Sequence, residues 1–262
     1  MLKKRMIGAL VGALMAATGT HSAADVQNTV QNTVDNPVAA TPVAAGGHVS
    51  VHRIDLEVGP LTLMPPQVLA QVPPTGKAIL VNIPSFELIA FEDRVPVMRS
   101  RVVVGSPRTP TPVMLTETSV VRFRPTWTPT PSMIKEGIKP GTRPAGPKNP
   151  LGYLAIRLEP GMLIYLHGTN KPHLYERDMR ALSHGCVRVE QWAEVAAWVL
   201  GADVEDVNGH AHGRRTFDVQ TSGVPVIVTY MTEFPDADGV MRSWPDVYGR
   251  GTYAGLTPAN VN

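Results

Sequence analysis

Residues 78–104 read AILVNIPSFELIAFEDRVPVMRSRVVV and contain three short β-rich segments separated by turn signals. Strands are predicted over 78–83, 86–91 and 95–104. Pro84-Ser85 lies between the first two segments, and Glu92-Asp93-Arg94 lies before the third. Short strands bounded by turn residues in this way are typical of an antiparallel meander. The stretch therefore predicts a sheet-based domain that begins near Lys77.

The rest of the sequence adds further strands and one helix. Its 25 prolines and 23 glycines, with 6% aromatic residues, favour a protein rich in turns and strands over a helical bundle. A helix is predicted over 190–200, where Trp192, Val195, Ala196 and Val199 recur at helical spacing before Gly201. This apolar stripe is expected to pack in the core. Additional strands are predicted over 120–124, 153–158, 162–166 and 224–231.

The N-terminus has the order of a secretory signal peptide. Lys3-Lys4-Arg5 is basic, residues 7–17 are apolar, and Ser22-Ala23-Ala24 offers small side chains before a cleavage point. A membrane anchor is the alternative, but the apolar run is shorter than the roughly 20 residues that a span requires. Residues 1–24 are therefore predicted to be a cleaved signal, which leaves an exported protein with no stable membrane span.

Removing the signal changes how the net charge is interpreted. The 24 basic and 22 acidic residues give +2, but residues 1–24 hold three of the basic ones and none of the acidic ones. The mature chain then has 21 basic and 22 acidic residues, or −1. Nucleic-acid binding normally requires a clustered basic face. No such face is evident in the sequence, so nucleic-acid binding is not predicted. Residues 25–48 are expected to be a disordered leader, 49–76 an extension of uncertain structure, and 251–262 a C-terminal tail.

A proline-rich segment interrupts the predicted strands. Seven prolines exclude a central strand there: Pro125, Pro129, Pro131, Pro140, Pro144, Pro147 and Pro150. Loops of this length in compact domains are usually functional or disordered. The segment is therefore either a lid or wall of a substrate groove, or a surface excursion.

Cys186 is the one cysteine of the sequence. Cysteines of exported proteins are normally paired, so a lone thiol is either an inert buried residue or a reactive one. His167 directly follows the strand predicted over 162–166 and is a candidate base for the thiol, which attacks an acyl carbon only as thiolate. Gly185 permits a tight turn whose backbone N–H groups can face a developing oxyanion.

Each of these residues also has a structural interpretation. A lone cysteine is commonly a small buried hydrophobe, and a histidine at a strand end is commonly a hydrogen-bonded polar residue. A metal site formed by His173, His184 and Cys186 is disfavoured because their spacing does not match that of zinc ligands. A metal is therefore not expected.

The order His167, fifteen residues, then Ser183-His184-Gly185-Cys186-Val187-Arg188 resembles the signature of L,D-transpeptidases with a YkuD-type catalytic domain. The resemblance covers roughly residues 77–250. Residues 81–84 and 102–105 resemble the family's opening strands, and residues 107–112 and 127–134 resemble its middle. Residues 244–250 resemble the ending of the larger Gram-negative members. It implies a curved β-sandwich or barrel-like sheet with few short helices. The chain is expected to be too short for the separate peptidoglycan-binding domain of those larger members.

The resemblance also implies catalytic roles. Cys186 is implied to be the nucleophile and His167 the general base and later the acid. The backbone carbonyl of Gly168 is implied to orient the imidazole. The N–H groups of Gly185 and Cys186 are implied to stabilise the oxyanion.

Three further residues of the signature are implied to support the substrate or the loop. His184 is expected to buttress the loop and to contact substrate. Ser183 and Arg188 are expected to bind the substrate, with Arg188 facing the peptide or its carboxylate through its forked donors. A structural ion pair is the alternative role of Arg188.

The implied activity is cross-linking of peptidoglycan stem peptides through a cysteinyl thioester, with release of terminal D-alanine. The implied setting is the periplasm or cell envelope, in wall synthesis and cell shape, with carbapenems as covalent inhibitors. Water, a D-amino acid or a lipoprotein lysine as acceptor would make the protein a carboxypeptidase, an exchange enzyme or a protein–wall ligase. A non-catalytic wall-binding protein is the alternative from another class, and it predicts a Cys186 that is buried or distant from His167.

Overall fold

The computed structural model describes residues 64, 66–251 and 253–254. The predicted signal peptide and leader, most of the 49–76 extension and most of the C-terminal tail lie outside the described residues. The described strands are β1 (Lys77–Asn82), β2 (Glu87–Glu92), β3 (Val95–Gly105), β4 (Met114–Phe123), β5 (Leu154–Leu158), β6 (Tyr165–His167), β7 (Ala181–Ser183), β8 (Val187–Val189), β9 (Phe217–Gln220), β10 (Pro225–Met231), β11 (Glu233–Pro235), β12 (Met241–Ser243) and β13 (Tyr253–Ala254). The helices are α1 (Pro66–Leu69), α2 (Pro131–Lys135), α3 (Trp192–Leu200) and α4 (Val204–His212), with a 3-10 helix over Pro172–Glu176.

The main sheet closes on itself. Its strands follow the order β13-β10-β1-β2-β3-β8-β6-β5-β4-β9, and β10 also pairs with β4. This last pairing joins the strands next to the two ends of the path and closes a barrel-like ring. The meander β1–β2–β3 is antiparallel, as predicted, whereas β1–β10 and β6–β8 are parallel. The predicted mainly β, barrel-like fold with few short helices is confirmed.

Two hydrophobic clusters lie on opposite faces of the first strands. Ile79 and Val81 belong to the main cluster, which also holds the buried face of α3. Ala78 and Leu80 belong to a second cluster, which holds Val68 of α1. Strands buried on both faces have continuous apolar runs, which explains the unbroken run at 78–81. Packing therefore begins N-terminal to Lys77, the predicted start of the domain.

Several predicted boundaries differ from the structure. The strand predicted over 162–166 is Tyr165–His167, because residues 159–162 form a turn closed by a hydrogen bond from the Met162 N–H to the Glu159 carbonyl. The strand predicted over 120–124 begins earlier, at Met114, where it pairs with β10. The predicted helix begins at Trp192 instead of residue 190. Gly201 ends that helix in a left-handed conformation (φ 65°), as its position predicted.

Candidate active site

A parallel strand pair brings His167 and Cys186 together. His167 is the last residue of β6 and pairs with Arg188 of β8, while Cys186 lies immediately before β8. Residues two apart on a strand face the same side, so His167, Arg188 and Cys186 share one face. Strand spacing and rise place the Cα atoms of His167 and Cys186 about 8 Å apart, which allows their side chains to converge.

His167 is held neutral and oriented by a backbone carbonyl. Its side chain is buried, and its Nδ1 lies 2.5 Å from the carbonyl oxygen of Gly168. Because a carbonyl only accepts, Nδ1 carries the proton and Nε2 keeps its lone pair. Burial lowers the pKa of His167 to about 3, assisted by the Arg188 charge and partly opposed by the carbonyls of Gly168 and Leu151. The imidazole is therefore in its basic form at neutral pH.

Cys186 is a protonated thiol in the same conditions. The residue is half-buried and free of any disulfide. Burial raises the pKa of its thiol, whereas the Tyr165 N–H and the Arg188 charge act in the opposite direction. Its Sγ–H donates to the carbonyl oxygen of Leu163 over 3.4 Å. A neutral thiol can transfer its proton to a neutral imidazole as it attacks, without a pre-formed ion pair, once it turns from the Leu163 carbonyl toward His167.

The turn before Cys186 depends on a glycine and on Ser183. Gly185 has φ 108°, a conformation that side chains rarely adopt, which agrees with its predicted turn. The hydroxyl of Ser183 donates to the Cys186 carbonyl over 2.5 Å and accepts from the Gly185 N–H at 3.1 Å. The Gly185 N–H is therefore already bonded, unlike the free oxyanion donor implied from sequence. The Cys186 N–H has no acceptor among the described residues.

One cavity of about 750 Å³ contains both His167 and Cys186. Five cationic side chains and no carboxylate line it. These are Lys139, Arg143, Lys171, Arg177 and Arg188. Arg188 has no salt bridge within the described residues, so the ion-pair role that the sequence left open has no partner in that part of the chain. Burial lowers the pKa of Arg188, although the guanidinium stays charged.

The proline-rich segment forms one wall of this cavity. Trp127, Met133 and Ile138 line it, together with the cations Lys139 and Arg143. Of the two roles that the sequence left open, the structure therefore supports the groove wall.

Contacts within the segment and to the loop that carries Cys186 hold this wall. The Arg143 guanidinium lies 4.7 Å from the Trp127 ring, and the two backbones bond each other. Glu136 accepts a hydrogen bond from Nε2 of His184 at 2.9 Å. His184 thus links the loop that carries Cys186 to the wall. The sequence predicts that His184 supports this loop, but it does not identify Glu136 as the partner.

Two other kinds of site, a metal centre and a membrane-spanning helix, are not found among the described residues. No group of three or more His, Cys, Asp or Glu side chains there is arranged to hold a metal ion. No described helix combines the length and the apolar character needed to cross a membrane.

With this geometry in place, comparison with known proteins defines the family. A family model for the L,D-transpeptidase catalytic domain, YkuD, matches residues 76–228. The match covers more than half of the 262-residue chain. The chain therefore belongs to the YkuD family of L,D-transpeptidase catalytic domains.

The match to each individual relative covers only part of that relative's length. A Haemophilus influenzae protein named as an L,D-transpeptidase is 27% identical over 238 residues, which cover 74% of this chain and 48% of that protein. The probable L,D-transpeptidase YcfS of Escherichia coli is 44% identical over 85 residues, which cover 30% of this chain and 26% of that protein. A solved L,D-transpeptidase from Mycobacterium smegmatis aligns at 17% identity over 58% of each chain, with a TM-score of 0.37. The chain thus spans about half or less of the curated relatives it matches.

Proposed function

We propose that this protein is an exported peptidoglycan L,D-transpeptidase that cross-links stem peptides through a thioester on Cys186. The observation that carries the proposal is the convergence of Cys186 and His167 on one cavity in a chain of this family. A non-catalytic wall-binding protein has no need for a neutral imidazole beside an unpaired thiol. The predicted signal peptide supports action in the periplasm or cell envelope.

The first half-reaction forms the acyl-enzyme. Sγ of Cys186 attacks the carbonyl carbon at the L-centre of the third residue of a tetrapeptide stem, and its proton passes to Nε2 of His167. The oxyanion faces the Cys186 N–H, which has no acceptor among the described residues. His167 then protonates the leaving nitrogen, the carbon–nitrogen bond breaks, and D-alanine departs. The Gly168 carbonyl supports this step because it holds the imidazole through Nδ1.

The second half-reaction transfers the acyl group. An amine of an acceptor stem attacks the thioester carbon and gives its proton to His167. The carbon–sulfur bond then breaks, and the thiolate of Cys186 recovers a proton from the imidazolium. The products are a new amide bond and the starting enzyme, so no metal or organic cofactor enters the balance. Water at the same thioester would give a shorter stem peptide instead.

The charges of the cavity support an anionic peptide substrate. Stem peptides carry free carboxylates, and five cationic side chains line the cavity without a carboxylate among its lining residues. Arg188 is the closest of these in sequence to the nucleophile, and it is paired in register with His167. A guanidinium with free forked donors suits a substrate carboxylate. We assign substrate binding to Arg188, with Ser183 acting mainly through the turn.

The test is product analysis with purified protein and a disaccharide-tetrapeptide. Mass spectrometry of the protein should show an acyl adduct, and the products should include a cross-linked dimer and D-alanine. Cys186→Ala should give neither adduct nor product. His167→Gln should lower the acylation rate by at least 100-fold because it removes the general base.

The masses also separate the alternatives. A shortened stem alone would indicate a carboxypeptidase. With a D-amino acid or a lysine-ended peptide added as acceptor, an exchanged terminal residue would indicate an exchange enzyme and a peptide-linked lysine a lipoprotein ligase. Absence of any adduct with wild-type protein, either from the stem or from a carbapenem, would refute thioester chemistry.

A further inference from the structure

The peptide bond between Gly185 and Cys186 is anchored on its carbonyl side. The Gly185 oxygen accepts a hydrogen bond of 2.7 Å from Oγ1 of Thr111. Thr111 is completely buried, and its Oγ1 in turn accepts from the Gly105 N–H at 2.8 Å. The hydroxyl is therefore fixed in both its donor and its acceptor directions.

This anchor also determines where the Cys186 N–H points. A trans peptide unit is planar, so its C=O and N–H point in opposite directions, and the described residues contain no cis peptide bond. Holding the Gly185 oxygen against Thr111 therefore holds the Cys186 N–H on the opposite side. That N–H has no acceptor in the described part of the chain and belongs to the nucleophile itself.

A tyrosine far along the chain holds Thr111 in turn. The Tyr248 hydroxyl accepts from the Thr111 N–H at 3.1 Å and donates to the Gly105 carbonyl over 2.7 Å. The Tyr248 N–H donates to the hydroxyl of Tyr230 over 2.8 Å, and that hydroxyl donates to Asp246. Tyr248 lies beyond residues 76–228, the part that matches the family model.

The contact between Gly105 and Thr111 leaves little room for adjustment. A Cβ on Gly105 would lie 2.2 Å from the Thr109 carbonyl oxygen and 2.5 Å from the Thr111 nitrogen. The backbone of residues 109–111 therefore packs directly on the Gly105 Cα. The Tyr248 hydroxyl ties the same two residues together, because it bonds both the Thr111 N–H and the Gly105 carbonyl.

We infer that Thr111 and Tyr248 are positioning residues that hold the Gly185–Cys186 peptide so that the Cys186 N–H faces the reacting carbonyl. Tyr248 acts through Thr111, and Thr111 acts through the Gly185 carbonyl. The inference rests on the proposed function, because it requires an oxyanion at Cys186. It assigns a role in acyl transfer to a residue outside the matched domain.

The test compares two reactions of the same thiol. Acylation by meropenem forms an oxyanion, whereas alkylation by iodoacetamide displaces iodide and forms none. Both rates are measured by intact-protein mass spectrometry at one pH, for wild type, Thr111→Val, Thr111→Ser and Tyr248→Phe. Thermal melting of each variant checks that the fold is kept.

Thr111→Val and Tyr248→Phe should slow acylation by about 10-fold to 100-fold, which is part of the loss seen when an oxyanion donor is removed. Their alkylation rates should stay within about twofold of wild type. Thr111→Ser keeps the hydroxyl and should restore acylation. With a stem peptide, kcat should fall while KM is unchanged.

Other outcomes would overturn the inference. Acylation at the wild-type rate in both Thr111→Val and Tyr248→Phe would show that the anchor is dispensable. Equal losses of acylation and alkylation would show a general effect on the thiol or the fold. If wild-type protein is alkylated but never acylated, the proposed function itself fails and the inference falls with it. If it is acylated but forms no cross-link, only the acceptor assignment fails.

Discussion

Acidification should destabilise this protein through a single buried side chain, His167. Its folded-state pKa is lowered from 6.5 to about 3 because burial disfavours the imidazolium. Between those two pH values the unfolded chain binds a proton that the folded chain does not, so stability falls as pH falls. Near pH 7 this loss of stability is almost absent, and below pH 3 it stops growing. At about 1.4 kcal/mol per pKa unit, lowering the pH from 7 to 4.5 should cost about 2.5 kcal/mol.

The assay is urea unfolding of wild type and His167→Asn at several pH values between 7.5 and 4. Carboxylates titrate in the same range in both proteins, so the difference between the two curves isolates His167. We expect wild type to lose about 2.5 kcal/mol more than His167→Asn between pH 7 and pH 4.5. Parallel curves would refute the reasoning, since they would mean that the imidazole is not held neutral by burial. An NMR titration of His167 in folded protein would then show a midpoint near 6.5.

Three other outcomes are expected. Because the pKa of His167 is lowered to about 3 and that of Cys186 is raised, the acylation rate by meropenem should stay nearly constant from pH 7 to pH 5 and should not fall near 6.5. Gly168→Ala should slow acylation about 10-fold. The added Cβ would lie 3.2 Å from Cδ1 of Trp192 and would shift the carbonyl that orients the imidazole. The control Gly209→Ala should leave the rate unchanged, because nothing lies within 4 Å of the added Cβ there. Glu136→Gln should raise KM for the stem peptide no more than about fivefold with kcat preserved, because an exposed contact of this kind is worth at most about 1 kcal/mol. A collapse of kcat would contradict this.

The sequence predicts the elements of this fold whose signals are local. The meander over 78–104 has turn residues between its strands, and Gly201 marks a helix end that the structure reproduces. Helix α4 was not predicted, because its buried face consists of only Val207 and Ala211 in an otherwise polar segment that contains a glycine. The closing pair β4–β10 also has no local signal, since it joins residues more than a hundred positions apart.

The same distinction holds within the candidate site. His167 at a strand end and Gly185 in a tight turn follow from residue types and spacing. The bond between His184 and Glu136 joins residues 48 positions apart, and that between Thr111 and Tyr248 joins residues 137 apart. A single threonine or tyrosine forms no recognisable sequence pattern. Such contacts can therefore be identified only from the folded structure. The engaged Gly185 N–H likewise depends on the rotamer of Ser183.

The raised pKa of the Cys186 thiol has a consequence for its sensitivity to oxidation. Peroxides and disulfides react with the thiolate far faster than with the thiol. A cysteine that stays protonated until a carbonyl is in place is therefore a poor target for oxidants, even when it has no partner for a disulfide. The burial that delays ionisation thus slows the oxidation of this sulfur.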